Sequence, residues 1–192
     1  DIEDELGAPA SVGVGTPGVV SRETGRIIGA KNTPVGGMPL GRDVSRRLDR
    51  PVRVANDANC FALSEAVDGA AAGAGVVVGL ILGTGAGTGL VVDGKLLEGF
   101  NGCAGEWGHN PLPWARDDEL ADARCYCGKL GCLELFVSGP GVVRDHQRAT
   151  GEALKPKEIF ARARAGEASA SATVERFHDR LARSIATLIN VI

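Results

Sequence analysis

No run of lysine or arginine breaks this chain: 21 basic residues against 24 acidic ones leave a net charge of −3. That balance excludes a broad nucleic-acid surface, so any phosphate binding must be local. No apolar stretch is long enough to span a bilayer, and residues 75–82 (GVVVGLIL) read as a buried strand instead. Internal repeats and low-complexity tracts are missing too. Five cysteines, an odd number, do not make a disulfide scaffold and fit a reducing cytosol, so a cytoplasmic location is expected. There is no initiator methionine. Residues 1–10 read as the end of a helix and its loop. The last residues, with Val174, Phe177, Leu181, Ile185, Leu188 and Ile192 at helical spacing, form a helix without a stop signal. Both ends therefore read as cut from something longer, and the lack of a targeting signal carries no weight.

The 192 residues are enough to bury a substantial core. Strands are expected over 11–16, 52–55, 76–82 and 89–92. Helices are expected over 43–48, 58–74, 132–137, 140–149, 156–165 and 171–192, with 99–131 irregular. In the 58–74 helix, Cys60, Leu63, Val67 and Ala71 fall on one apolar face, which makes Cys60 a core residue. Strands alternating with helices give an α/β chain. A boundary at 74/75 divides it into two lobes, 1–74 and 75–192.

The chemistry concentrates elsewhere. Cys125, Cys127 and Cys132 lie within eight residues, and His109 stands sixteen positions upstream. Four soft or borderline ligands on glycine-rich chain suit a closed, structural tetrahedral zinc site. Cys125 and Cys127 are too close for an unstrained disulfide, and a [4Fe–4S] cluster would want a fourth local cysteine. Glu106 and Glu134 flank the same ligands. Carboxylates and an imidazole brought together by a metal suit a polyhydroxylated ligand; as unrelated surface charges they mean nothing.

Two further features each leave two readings open. Residues 82–89 (LGTGAGTG) place glycine at every second position, which suits either a phosphate cradle or a plain glycine-rich hairpin. The stretch is neither a Walker A loop nor a dinucleotide fingerprint. Asp57 follows Asn56 at a strand end. It is either a base that takes a proton from a hydroxyl or the cap of the following helix.

Taken together, these residues resemble the ROK family (repressors, open reading frames and sugar kinases). The resemblance rests on GVGTPG at 13–18, NDAN at 56–59, the 82–89 loop, EXXH at 106–109 and CXCGXXGCXE at 125–134. It implies an actin-like ATPase (ribonuclease H-like) two-lobed sugar kinase fold, incomplete at both ends. The family's opening Asp-X-Gly-Gly-Thr strand and its closing Gly-Gly-Gly motif are not among these residues. The implied roles are Asp57 as catalytic base, and Asn56, Asp57, Glu106, His109 and Glu134 around the sugar. Gly83, Thr84 and Gly85 would meet the nucleotide phosphates, and His109, Cys125, Cys127 and Cys132 would hold Zn2+. His109 would serve twice, one ring nitrogen on the metal and the other toward a sugar hydroxyl. More narrowly, 55–74 and 101–114 look like the family's fructokinases, which implies ATP-Mg2+ and D-fructose as substrates. Glucokinase, mannokinase or N-acetylhexosamine kinase activity are the alternatives within the family. A repressor with an upstream helix-turn-helix is the alternative outside catalysis. Expected partners are hexose and ATP, with no membrane and no nucleic acid unless such an upstream segment exists, in a homodimer.

Overall fold

The computed structural model describes residues 2–8, 10–30 and 33–192. Residues 1 and 9, within the stretch read as a helix end and loop, lie outside it. The chain forms two compact units: residues 1–79 with 89–104, and 80–88 with 105–192. It first passes from one unit to the other between Gly79 and Leu80, near the expected boundary at 74/75, then crosses again at 88/89 and 104/105.

The first unit opens with α1 (Ile2–Leu6) and β1 (Val12–Thr16), followed by the short antiparallel pair β2 (Val19–Val20) and β3 (Ile27–Ile28). Helix α2 (Leu40–Leu48) then leads to β4 (Val52–Asn56), which lies parallel to β1 in register from Val12↔Val52 to Thr16↔Asn56. Parallel neighbours need a crossover, and α2 supplies it. It approaches β4 closely through Gly41, where a Cβ would sit 3.2 Å from a methyl of Val54. The carboxyl ends of β1 and β4 thus finish side by side, at Thr16 and Asn56.

Helix α3 (Asp57–Val67) stops well before residue 74, with Asp68 donating its N–H to the Ser64 carbonyl. Its buried face is Ala58, Asn59 and Ala62, rotated from the face expected; Cys60 is exposed and Val67 is 63% exposed. The cause is close packing on small residues. Strands β5 (Val76–Leu82) and β6 (Ala86–Val92) bring Gly79 and Gly89 up to Ala62. A Cβ on Gly89 would lie 2.5 Å from the Ala58 carbonyl oxygen and 2.6 Å from the Ala62 Cβ. A helix seated this low selects the face with the least side chain, not the most apolar one. Ala62, Val77 and Val91 make the core there, and β7 (Lys95–Leu96) completes the three-stranded sheet β5-β6-β7. Only residues 83–85 separate β5 from β6, because Ala86, Gly87 and Thr88 are strand and not loop.

The second unit is mainly helical: α4 (Asp117–Leu120), α5 (Glu134–Val137), α6 (Gly139–Thr150), α7 (Pro156–Arg164) and α8 (Ala168–Ile189). Ser138 caps α6 by accepting the Gly141 N–H, and Gly151, with φ 78°, ends it in the left-handed region. Trp107, Leu112, Leu133, Phe136 and Val137 form one core cluster against Phe177, Leu181 and Leu188 of α8; Val142, Ile159 and Ala170 form another. The expected apolar face of α8 packs, yet the residues it buries fully include Thr173, Arg180 and Ser184.

Arg180 can be buried because it is paired. Its Nε donates to Glu119 Oε1 at 2.8 Å and its Nη1 to Asp145 Oδ1 at 2.7 Å. Arg183 and Arg116 also donate to Glu119, and Arg176 to Asp145. Burial raises the Glu119 pKa, but bonds from Arg180, the Arg116 backbone N–H and Arg183 outweigh it and hold the carboxyl at about 2. A depressed carboxylate stabilises the fold above its unfolded pKa and stops doing so as pH falls through the folded one. Unfolding free energy should therefore begin to drop below about pH 4.5 and keep dropping toward pH 2. Glu119→Gln should remove much of that slope and cost about 3–5 kcal/mol at pH 7, since the buried Arg180 and the partly buried Arg183 each lose one of their counter-charges. Urea titrations at pH 7, 4 and 3 measure both effects. A variant as stable as its parent at pH 7 would contradict this account of α8.

Candidate active site and metal centre

The segment 105–110 (GEWGHN) is moored to the second unit by small residues and one large one. Gly105, at φ +90°, and Gly108 lie against Thr88 and Ala86, with no room for a Cβ at either position. Thr88 donates its hydroxyl (2.6 Å) and its backbone N–H (3.2 Å) to the Gly105 carbonyl. Trp107 is buried in the core cluster. A 3-10 turn over Trp107–His109 then leaves Glu106 exposed and His109 half-buried. Sequence alone flagged these glycines only as flexible chain; the structure uses them for close approach.

The cysteines lie in a tight knuckle. The N–H of Cys125 donates to the Lys129 carbonyl and that of Gly128 to the Cys125 carbonyl, while Gly128 and Gly131 adopt positive φ. A bridge between Pro111 and Cys132 ties the knuckle to the histidine segment. His109, Cys125, Cys127 and Cys132 each present a ligand atom, all within 4.8 Å of one another. Cys127 Sγ is 3.6 Å from Cys132 Sγ, and Cys125 Sγ is 3.7 Å from His109 Nδ1. A tetrahedron with zinc–sulfur bonds of about 2.3 Å has edges of about 3.8 Å, so both the donor set and its spacing fit zinc. Burial pushes the thiols of Cys125 and Cys132 up, the latter to about 12. At Cys127 the backbone N–H of Lys129 and the neighbouring thiols outweigh burial and hold the thiol below its usual value.

Glu134 begins α5 beside this cluster, its Oε1 3.8 Å from Cys125 Sγ. Its other oxygen lies so near Gly85 that a Cβ there would come within 2.7 Å. The glycine turn 83–85 is thus packed against the carboxylate, and Gly83 also accepts the N–H of Gly139 at the start of α6 (2.8 Å). Gly83 and Thr84 are exposed. His109 is engaged on both nitrogens: Nε2 meets the hydroxyl of Tyr126 at 3.0 Å, a partner sequence reading missed. Burial, Glu134, Cys125 and Glu106 push the Tyr126 phenol up to about 12.

Asn56 and Asp57 belong to the first unit. Asn56 is the cap of α3: its Oδ1 accepts the Asn59 N–H at 3.1 Å, and its Nδ2 donates to the Gly18 carbonyl at 3.1 Å. Asp57 is the first residue of the helix, exposed, its carboxylate accepting among the described residues only a local bond from the Ala58 N–H. The capping role weighed for Asp57 therefore falls to its neighbour. A carboxylate left over at the end of a parallel strand is well placed to meet a ligand.

Residues 1–192 match the ROK family throughout. The chain belongs to the ROK family. An N-acetyl-D-glucosamine kinase of Pectobacterium atrosepticum is 41% identical over 195 residues, covering all of this ROK chain and 64% of the relative. The crystal structure of a ROK hexokinase from Thermus thermophilus superimposes with a TM-score of 0.85 at 33% identity, covering 99% of this chain and 62% of that one. A ROK family transcriptional regulator, a homolog of E. coli MLC protein, gives 0.80 at 27% identity, covering 100% and 50%. The α/β fold is accordingly the actin-like ATPase fold of ROK proteins. This ROK chain spans a little under two thirds of the length of the kinase relative it matches. No helix among the described residues is long and apolar enough to cross a membrane.

Proposed function

We propose that this chain supplies the sugar site, and part of the nucleotide site, of an ATP-dependent hexose kinase. The observation that carries the reading is the contact between Gly85 and Glu134. A turn suited to phosphate lies directly against a carboxylate suited to a sugar hydroxyl, and a kinase needs those two sites adjacent. Asn56, Asp57, Glu106, His109 and Glu134 would bind the hexose, and Gly83, Thr84 and Gly85 the nucleotide phosphates. Asp57 would accept the proton of the attacking hydroxyl. His109, Cys125, Cys127 and Cys132 would hold zinc as a structural ion. Mg2+ arriving with ATP would neutralise charge on the transferred phosphoryl group.

N-acetyl-D-glucosamine is the favoured substrate. A kinase for that sugar is 41% identical to the chain over 195 residues, whereas the fructose reading rests on two short stretches, 55–74 and 101–114. The regulator reading has the fold in its favour; the uncapping, exposed Asp57 favours catalysis. An ADP-release assay on the whole protein with N-acetylglucosamine, glucose, mannose and fructose decides. The highest kcat/KM is expected for N-acetylglucosamine. Fructose ranking first would restore the fructokinase assignment, and no release with any hexose, from protein that binds sugar, would favour the regulator.

A further inference from the structure

The second unit holds a cleft of about 180 Å³, walled by α4, α5, α6 and α8, and none of its lining residues belongs to the sites proposed above. Phe136, 5% exposed, lies in its wall with the Arg180 guanidinium 5.5 Å and the Arg144 guanidinium 5.8 Å from its ring centre. The charge of Arg180 is answered by Glu119 and Asp145. Those carboxylates have nothing to spare, since Glu119 also meets Arg116 and Arg183, and Asp145 also meets Arg176. Arg144 has no such answer: among the described residues no carboxylate lies within ion-pair distance of it. Its Nη2 donates to the Leu135 carbonyl, which aims the guanidinium without neutralising it. Partial burial, Arg180 and Arg148 outweigh Asp145 and hold the Arg144 pKa below its ordinary value. Arginine keeps its proton regardless, so the charge is left for another group to balance. Arg148 lines the same cleft one turn along α6, and it too bonds only a neutral acceptor, the Asp118 carbonyl at 2.9 Å.

We propose that this cleft is a binding site for a small phosphate-class anion, either free phosphate or a phosphate monoester, held by Arg144 and Arg148 beside the Phe136 ring. Guanidinium forks match phosphate oxygens in pairs, and two of them one helical turn apart can share one anion. The volume lies below the roughly 300–1,000 Å³ of pockets that bury a drug-sized ligand, so a nucleotide would not be enclosed. One lining carboxylate, Asp122, has no cationic partner among the described residues. It would repel a bare anion and accept a bond from a hydroxyl, which favours a hydroxyl-bearing monoester over free phosphate. The site also has a route to the proposed hexose site. Leu135 and Phe136 follow Glu134 directly on α5, and Gly139 at the start of α6 donates to the Gly83 carbonyl. An anion gripped between α5 and α6 would brace both.

Calorimetry on the whole protein, with its nucleotide site filled by ADP, tests the assignment. Glycerol 3-phosphate and inorganic phosphate are titrated separately, with sodium chloride at matched ionic strength as the control. Parent protein should bind glycerol 3-phosphate the more tightly of the two. Arg144→Gln and Arg148→Gln should each weaken that binding by about tenfold or more, the scale of one charge-assisted hydrogen bond. Arg144→Gln also disturbs the stacking on Phe136, so its melting temperature is measured beside it. Arg148→Gln removes only a surface bond and should melt with the parent. Free phosphate binding as tightly as the monoester would still support the site and make the free anion its ligand. No saturable heat with either probe, heat that chloride reproduces, or equal affinity in the parent and in Arg148→Gln would overturn the proposal.

Discussion

Asp57→Asn is expected to lower kcat by about 10²–10⁴-fold, the scale of a lost general base, while sugar affinity changes little. Asparagine keeps the size and one hydrogen-bonding oxygen of the native side chain but cannot take a proton. The local structure makes this a clean experiment, because Asn56 and not Asp57 caps α3. The bond that the Asp57 side chain accepts from its neighbour's N–H is available to asparagine too. Circular dichroism and thermal melting of the variant should match the parent. Steady-state kinetics with ATP and N-acetylglucosamine, alongside sugar binding by calorimetry, separate the two effects. Retained turnover would remove Asp57 from the mechanism, and a collapsed sugar affinity with normal turnover of bound sugar would make it a binding residue only.

Cys132→Ser should abolish zinc binding and loosen the knuckle, with the second largest effect on the protein. Cys132 is 1% exposed, and it faces both Cys127 Sγ and the carbonyl of His109. Structural zinc contributes its binding energy to folding, about 10–16 kcal/mol in isolated fingers. Here the Trp107–Val137 cluster supports the same segment from beneath, so a smaller loss is expected, about 3–5 kcal/mol, or roughly 10 °C in melting temperature for a chain of this size. Metal analysis of freshly purified parent should give about one zinc per chain. A variant that melts with the parent, or a parent that is metal-free and folded, would contradict the zinc assignment.

The features legible in the sequence were those set by local pattern or by ligand chemistry. Strands β1, β4 and β5 and helices α5 to α8 follow from apolar periodicity. The convergence of His109 with Cys125, Cys127 and Cys132 was legible because thiols at that spacing have few other uses. The hidden features all depend on contacts distant in sequence. The face of α3 could not be read, since it is chosen by Gly79 and Gly89 on strands that follow it. Arg180 can be buried only because Glu119 and Asp145, both distant in sequence, stand opposite it. The roles of Asn56 and Asp57 were divided by one hydrogen bond to Asn59, which no pattern in NDAN encodes. Tyr126 carries no signal at all until the knuckle folds it onto His109.

The account as a whole turns on a metal-organised wall that reads sugar. Calorimetric titration of N-acetylglucosamine into the whole protein, before and after zinc is stripped and then restored, tests that most directly. Binding should be measurable with zinc, be lost when the metal is removed, and return on reloading, because His109 and Glu134 keep their places only while the knuckle is closed. Unchanged sugar affinity in folded, metal-free protein would contradict it.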